Sequence, residues 1–172
     1  ITSYSIANYA GGIIQNEGEI SGSSVPEEYR GVILTNHAGG VVNNAGLISG
    51  KIENHAKSTE FVEGQINNTG VISGGIDNAG YVLNKENGQV TTTKVANAST
   101  GTVDNEGIVS SEVENAGQLN NKAKGKITGA LTNKDGGNVN NAGTISAKIT
   151  NDYSEVEVEE GVSQLKDTVW KM

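Results

Sequence analysis

Cysteine is missing from the chain, so neither a disulfide nor a thiolate metal site can staple its fold, and bridges cannot identify its redox compartment. Aromatic residues make up only 4% of the sequence and hydrophobic residues 34%, which is poor material for a conventional globular core. A different kind of core is needed. Lys and Arg form no cluster to offset the net charge of −8, so nucleic acid and anionic lipid are both repelled. No apolar run approaches the roughly 18 residues of a membrane span, which argues against membrane insertion. The chain begins at Ile1 without an initiator methionine or a signal-peptide pattern, and so reads as a processed product or an excised segment. Proline occurs once against 24 glycines. That composition allows flexible corners, yet the regular spacing of Ile, Val and Leu argues against disorder.

What the sequence does contain is one phrase repeated: NNAGLISGKIEN from Asn43, NNTGVISGGIDN from Asn67 and NNAGTISAKITN from Asn140. An apolar residue followed two positions later by Asn opens each repeat, at Ile6, Leu34, Ile52, Ile76, Val95, Val113, Leu131 and Ile149. The differences between successive positions are 28, 18, 24, 19, 18, 18 and 18, so the basic period is 18 with extra residues after the first and third. A period of that length signals a solenoid. Two further apolar positions occupy each period, for example Val42 and Ile48 in the second repeat and Val103 and Val109 in the fifth. In the fourth and sixth repeats the middle position comes two residues early, at Val82 and Leu119, so one corner gains what another loses.

Three strands per turn, each too short for an independent sheet, satisfy their backbones by pairing with the turns above and below. The expected fold is all-β: a parallel β-helix, or β-solenoid, of about 18 residues per coil. Right-handed winding follows from the crossover preference of parallel strands. Residues 1–154 are expected to form about eight coils with insertions at 21–31 and 55–64, and residues 155–172 the last coil and a C-terminal cap. In that cap Val156 and Val158 point inward, while Leu165, Val169 and Trp170 fold over the final rung.

The polar columns follow from strand parity. Asn8, Asn36, Asn54, Asn78, Asn97, Asn115, Asn133 and Asn151 share the parity of the inward apolar residue, which places them inside as an amide ladder. A second Asn column, at 16, 44, 68, 84, 105, 121 and 141, marks another corner. Glycines at 18, 46, 70, 88, 107, 125 and 143 imply either positive φ or close backbone contact. Just after the third apolar position an outward column of Ser and Thr runs from Ser21 to Ser146.

Candidate sites lie where the period is broken. SGSSVPEEYRG, residues 21–31, carries the only proline and the only arginine, with Pro26, Glu27, Glu28, Tyr29 and Arg30 as candidate recognition residues. HAKSTEFVEG, residues 55–64, contributes Lys57, Glu60 and Phe61. Loops that protrude from a regular rod are where binding usually resides. His37 and His55 share one repeat position, one coil apart and in the column of Tyr9; an aromatic stack accounts for them without a metal, since no third ligand is fixed nearby. Glu53 and Asp77 also stack, and read as a solvated face rather than a calcium site. The aspartates fall in different columns, and the Ser/Thr column lacks a periodic His partner. No catalytic pair can be assembled, and neither a metal nor another cofactor is expected. Of the two glycosylation sequons, at Asn67 and Asn97, the second belongs to the inward ladder.

NNAGLISG, NNTGVISG and NNAGTISA resemble the Asn/Gly rungs in passenger regions of bacterial autotransporters and other large secreted adhesins, over residues from about Ile6 to Asn151. The resemblance implies a bacterial, extracellular or cell-surface β-helical stalk that meets a host-surface protein or glycan. The expected function is therefore non-catalytic and structural or adhesive. The alternatives are a self-assembling extracellular fibre subunit, joined to further copies of itself through exposed coils, and, third, a polysaccharide-active β-helix enzyme.

Overall fold

The structure, a computed structural model, describes residues 5–22, 31–91, 94–134 and 136–152, with the backbone alone of 168–171. The candidate residues and cap positions at 23–30 and 153–167, Pro26 to Arg30 and Val156, Val158 and Leu165 among them, lie outside the described residues. Within those described, the chain is a parallel β-solenoid of three sheets and about 19 residues per turn.

Sheet I stacks β1 (Ile6–Asn8), β4 (Val32–Asn36), β7 (Lys51–Asn54), β10 (Ile76–Asn78), β13 (Lys94–Asn97), β16 (Glu112–Asn115), β19 (Leu131–Lys134), β22 (Ile149–Asp152) and β23 (Thr168–Lys171). Sheet II stacks β2 (Ile13–Asn16), β5 (Val41–Asn44), β8 (Gln65–Asn68), β11 (Tyr81–Asn84), β14 (Thr102–Asn105), β17 (Gln118–Asn121) and β20 (Asn138–Asn141). Sheet III is narrower, with two-residue strands: β3 (Glu19–Ile20), β6 (Leu47–Ile48), β9 (Val71–Ile72), β12 (Gln89–Val90), β15 (Ile108–Val109), β18 (Lys126–Ile127) and β21 (Thr144–Ile145). One strand from each sheet makes a coil. Seven strands in sheets II and III mean six turns from the first rung to the seventh, with β22 and β23 continuing sheet I beyond them.

Every opening apolar residue pairs with the next one, as in Ile6↔Leu34, Ile52↔Ile76, Val95↔Val113 and Leu131↔Ile149. The early Val82 and Leu119 hold their column too, through Val82↔Ile66 and Leu119↔Val103. Alternation at period two turns one side chain in and the next out, so each coil contributes three apolar side chains and two asparagines to a narrow core. In the middle of the stack Leu34, Val42, Ile48, Ile52, Ile66 and Ile72 are completely enclosed. At the two ends Ile6, Ile14, Val139 and Ile145 pack on the core but are only half-buried.

Both Asn columns are inward ladders; the second is not merely a corner. In the first, the Nδ2 of Asn8 donates to Oδ1 of Asn36 at 2.8 Å, and the same bond repeats at 2.8 Å through Asn54, Asn78, Asn97, Asn115 and Asn133. In the second, Asn16, Asn44, Asn68, Asn84, Asn105, Asn121 and Asn141 are linked by bonds of 2.7–2.8 Å. All of these bonds run in one direction along the rod.

The same amides build the corners. Asn78 and Asn115 each donate to the carbonyl of a glycine two residues on, Gly80 and Gly117, whereas Asn36, Asn97 and Asn133 reach one four residues on, Gly40, Gly101 and Gly137. Corners thus come in a short form, N-x-G, and a long form, N-x-x-x-G. Coils four and six are short between sheets I and II and long between II and III, at Asn84 to Gly88 and Asn121 to Gly125. This exchange is what brings Val82 and Leu119 two residues early. At Asn54 the corner carbonyl belongs to Gly64, ten residues on, so the 55–64 insertion is a long corner whose two ends still close on the ladder.

Of the two explanations for the glycine column, close contact is the correct one. A Cβ on Gly70 would lie 2.2 Å from the Gly46 carbonyl oxygen, and one on Gly107 2.2 Å from that of Gly88. Positive φ occurs elsewhere, at Gly11, Gly39 and Gly136 in long corners. Two other details differ from expectation. Ser21, assigned to the outward column, is buried at 5% exposure. Ile33, not recognised as core, is buried at a register shift in β4 and fills the space that Gly22 and Gly50 leave free. At the C-terminal end β23 extends sheet I as a further parallel strand, in the register Ile149↔Thr168, Thr150↔Val169, Asn151↔Trp170 and Asp152↔Lys171.

Candidate functional site

The residue after each ladder Asn of sheet I stands at the margin where that sheet turns toward sheet II. In the first three coils this column holds planar rings. Tyr9 and His37 stack face to face with centroids 4.6 Å apart, and His37 meets His55 edge-on at 4.7 Å. Above them the column changes to methyl groups at Ala79, Ala98 and Ala116, whose backbone amides continue the same ladder of bonds to Asn54, Asn78 and Asn97. Replacing rings by methyls opens a trough of about 660 Å³, lined along its length by His55, Ala79, Ala98, Ala116 and, at the far end, Lys134. From His55 to Lys134 is four coil steps, roughly 19 Å at the usual inter-strand spacing.

The outward column of sheet I forms one wall, with Glu53, Asp77, Ala96 and Glu114. Asp77 pairs with Lys51, and Glu114 pairs with both Lys94 at 2.7 Å and Lys134 at 3.3 Å. The hydrogen bond from Lys94, reinforced by Lys134, holds the Glu114 carboxyl below its ordinary range against the opposing effect of desolvation. Glu53 has no lysine partner among the described residues; its carboxylate lies 4.0 Å from Nε2 of His55. The wall is therefore acidic at the His55 end, whereas toward Lys134 the Glu114 carboxylate is matched by two lysines.

The 55–64 insertion borders the acidic end. Its tip is tied by Ser58, whose backbone N–H donates to the Phe61 carbonyl at 2.9 Å and whose Oγ accepts from the Phe61 N–H at 3.0 Å. Its far limb folds back over coil two, where the Gly39 N–H donates to the Val62 carbonyl at 2.7 Å. This leaves Phe61 at 48% and Val62 at 62% exposure; Tyr9 and Ile13, in the first coil, are each 66% exposed. Lys57 and Glu60 are exposed on the same loop.

The expected aromatic stack is present, and Glu53 and Asp77 are indeed neighbours. No group of three or more His, Asp or Glu side chains is placed to hold a metal among the described residues. Asp77 and Asp104 project from different sheets. Asp104, on sheet II, is engaged by Asn120 Nδ2 at 2.6 Å, Tyr81 Oη at 3.2 Å and Lys122 at 3.4 Å. Burial, followed by the Asp104 charge, pushes the Tyr81 phenol up to about 12. Asn97 is buried in the ladder, whereas Asn67 lies on the outer face of sheet II, donating to Asn43 at 2.9 Å. Sequence reasoning missed the trough. Its one signal was the substitution of Ala for Tyr and His in the position after the ladder Asn.

No protein-family model matches the chain, and neither a curated protein nor a solved structure does.

Proposed function

We propose that the chain is a non-catalytic, adhesive β-solenoid segment of a secreted or cell-surface bacterial protein, in which the stacked coils act as a rigid stalk and the trough with its neighbouring insertion acts as the recognition surface. The observation that carries the reading is the run of Ala79, Ala98 and Ala116 in a column otherwise filled by rings, Lys134 and Asp152, because it opens a groove of about 660 Å³ next to the one described loop that breaks the period. A methyl-lined floor beside a wall of paired charges suits an elongated polar partner lying along the rod: its C–H surfaces meet the alanines and its polar groups meet Glu53, Asp77 and Lys134. A host glycan or an extended peptide of a host-surface protein has that form. The Asn/Gly rungs, which resemble those of autotransporter passengers and secreted adhesins, support the extracellular assignment.

The test fills the groove without touching the core. Ala98→Trp should retain the β-type circular dichroism spectrum and lose binding on glycan and host-protein arrays, with a loss of at least about tenfold, as expected when a bulky side chain occupies a contact site. Equal binding by Ala98→Trp and the natural chain would place recognition elsewhere on the rod.

A further inference from the structure

The amides along the floor of the trough are already committed to the rod. The N–H groups of Ala79, Ala98 and Ala116 donate to the carbonyls of Asn54, Asn78 and Asn97. Those three asparagines are buried. Each Nδ2 donates to the next ladder oxygen and to two backbone carbonyls, and each Oδ1 accepts from the rung before. The Ala79 carbonyl accepts from Thr100 Oγ1 at 2.9 Å, and that of Ala98 from the Gly101 N–H at 2.8 Å. At these rungs the floor therefore offers an occupant methyl groups and no free N–H. A sugar face laid on it gives up water from its hydroxyls without replacement, which is unfavourable for each one. A β-strand lying along the rod fares no better, because the N–H groups it meets are already paired.

Charge is supplied by the wall instead. Asp77 is paired with Lys51, and Glu114 with Lys94 and Lys134, whereas Glu53 has no lysine partner among the described residues. Glu53 is thus the carboxylate open to a cation that a partner brings. It stands two coils from Ala96 and Ala98, the rung where wall and floor are both methyl, through Glu53↔Asp77 and Asp77↔Ala96. Two coils are roughly 9.6 Å. One turn of polyproline II, three residues long, advances about 9.3 Å. Two turns of α-helix advance about 10.8 Å and fall out of step with the same rungs.

We propose that the trough takes a proline-rich segment of a partner protein in the polyproline II conformation, with a lysine or arginine against Glu53 and the residue three positions away over Ala96 and Ala98. Proline has no N–H to leave unpaired, and a polyproline II chain keeps its carbonyls in water, so this backbone loses least on a floor without donors. Its shape is fixed before it binds, which lowers the ordering entropy lost. The proposal rests on the trough being the recognition surface argued above, and selects the peptide over the glycan.

The experiment follows the backbone amide resonances of the whole chain while a capped oligoproline of about eleven residues, with lysine at its centre, is added; either arm is roughly as long as the path from Glu53 to Lys134 is deep in methyls, whichever way the peptide runs. The Ala79 and Ala98 resonances are expected to move, and binding to weaken with salt. Glutamate in place of the central lysine should weaken binding about tenfold, and Glu53→Lys should reverse that preference with an unchanged circular dichroism spectrum. Aspartate three residues from the lysine on both sides faces the methyls between Asp77 and Glu114 and should also weaken binding about tenfold, whereas aspartate two residues away faces water and should change it less than about threefold. Equal binding of the lysine and glutamate peptides overturns the proposal, as do equal losses from the two aspartate placements, or tighter binding of an alanine-based helix with the same central lysine. Trough resonances that move with host glycans and not with the peptide overturn it while keeping the trough as the recognition surface. If neither ligand moves them and Ala98→Trp leaves array binding intact, both readings fall.

Discussion

At the scale of single residues, the inward asparagines do the work that disulfides or a large apolar core do elsewhere. The amide of Asn115 accepts from Asn97 at 2.8 Å and shares its two hydrogens among Asn133 Oδ1, the Gly117 carbonyl and the Asn138 carbonyl. Replacing it with Ala leaves the buried Asn97, Gly117 and Asn133 and the Asn138 carbonyl each short of a bond, and should cost about 1–3 kcal/mol in thermal or urea unfolding. Ser110, on the outside, is expected to shift stability by no more than about 0.5 kcal/mol when changed to Ala. Its neighbour Ser111 presents the opposite case. That hydroxyl is buried and finds no hydrogen-bond partner among the described residues, so Ser111→Ala should be neutral or stabilising, by up to about 1 kcal/mol. The glycine column can be tested by a matched pair. Gly70→Ala drives a methyl into the Gly46 carbonyl and should cost about 1–3 kcal/mol, whereas Gly18→Ala, in the first coil with nothing within 4 Å, should cost little.

At the scale of elements, the corner is the unit of variation. Because Asn54 donates to Gly64 whatever lies between them, the residues from Lys57 to Val62 are expected to be dispensable for the rod. Reducing 55–64 to a long corner of the N-x-x-x-G form should preserve the β-type circular dichroism spectrum and shift the unfolding midpoint only slightly; a collapse of β structure would show that the Gly39–Val62 bond is essential to coil two. On sheet II, the Tyr81 and Asp104 pair predicts a late titration. The Tyr81 phenol is raised from its ordinary value of 10.0 to about 12, chiefly by burial and then by Asp104. A folded-state pKa above the unfolded one favours the neutral phenol in the fold, so its contribution is fully present below pH 10 and is lost as pH rises through about 12. Ultraviolet titration at alkaline pH should resolve one tyrosine that ionises late, and Asp104→Asn should bring it back part of the way.

At the scale of the whole molecule, a solenoid has no single centre. Each coil contacts only its neighbours, so stability is close to a sum of rung and interface contributions and is lowest where a neighbour is missing. The half-buried Val139 and Ile145 and the exposed Asn140 and Asn141 mark coil seven as an end of this kind among the described residues. Amide hydrogen exchange should accordingly be slowest in coils two to six and faster in β20 and β21; uniform protection along the rod would contradict nearest-neighbour stabilisation.

The repeat made the architecture legible because strand parity and backbone pairing are local and periodic. Once Ile52 must stack on Leu34, the inward place of Asn54 above Asn36 follows with no further information. The same logic located the aromatic column, since Tyr9, His37 and His55 occupy one repeat position. What the period does not encode is decided by contacts between coils. Gly70 and its counterparts are required by the approach of the carbonyl one coil below rather than by their own φ. Ile33 is core only because Gly22 and Gly50, distant in sequence, leave a space beside it. The trough likewise exists only in the stack: Ala79, Ala98 and Ala116 are three ordinary alanines in the sequence, and they become a groove because coils three and seven set a histidine and a lysine in the same column at either end. Sequence alone determined which apolar residues of the regular rungs face inward, through a period of two nested in a period near 18. The tertiary structure decided which outward residues meet, because that depends on how long each corner is and on what the adjacent coils place beside it.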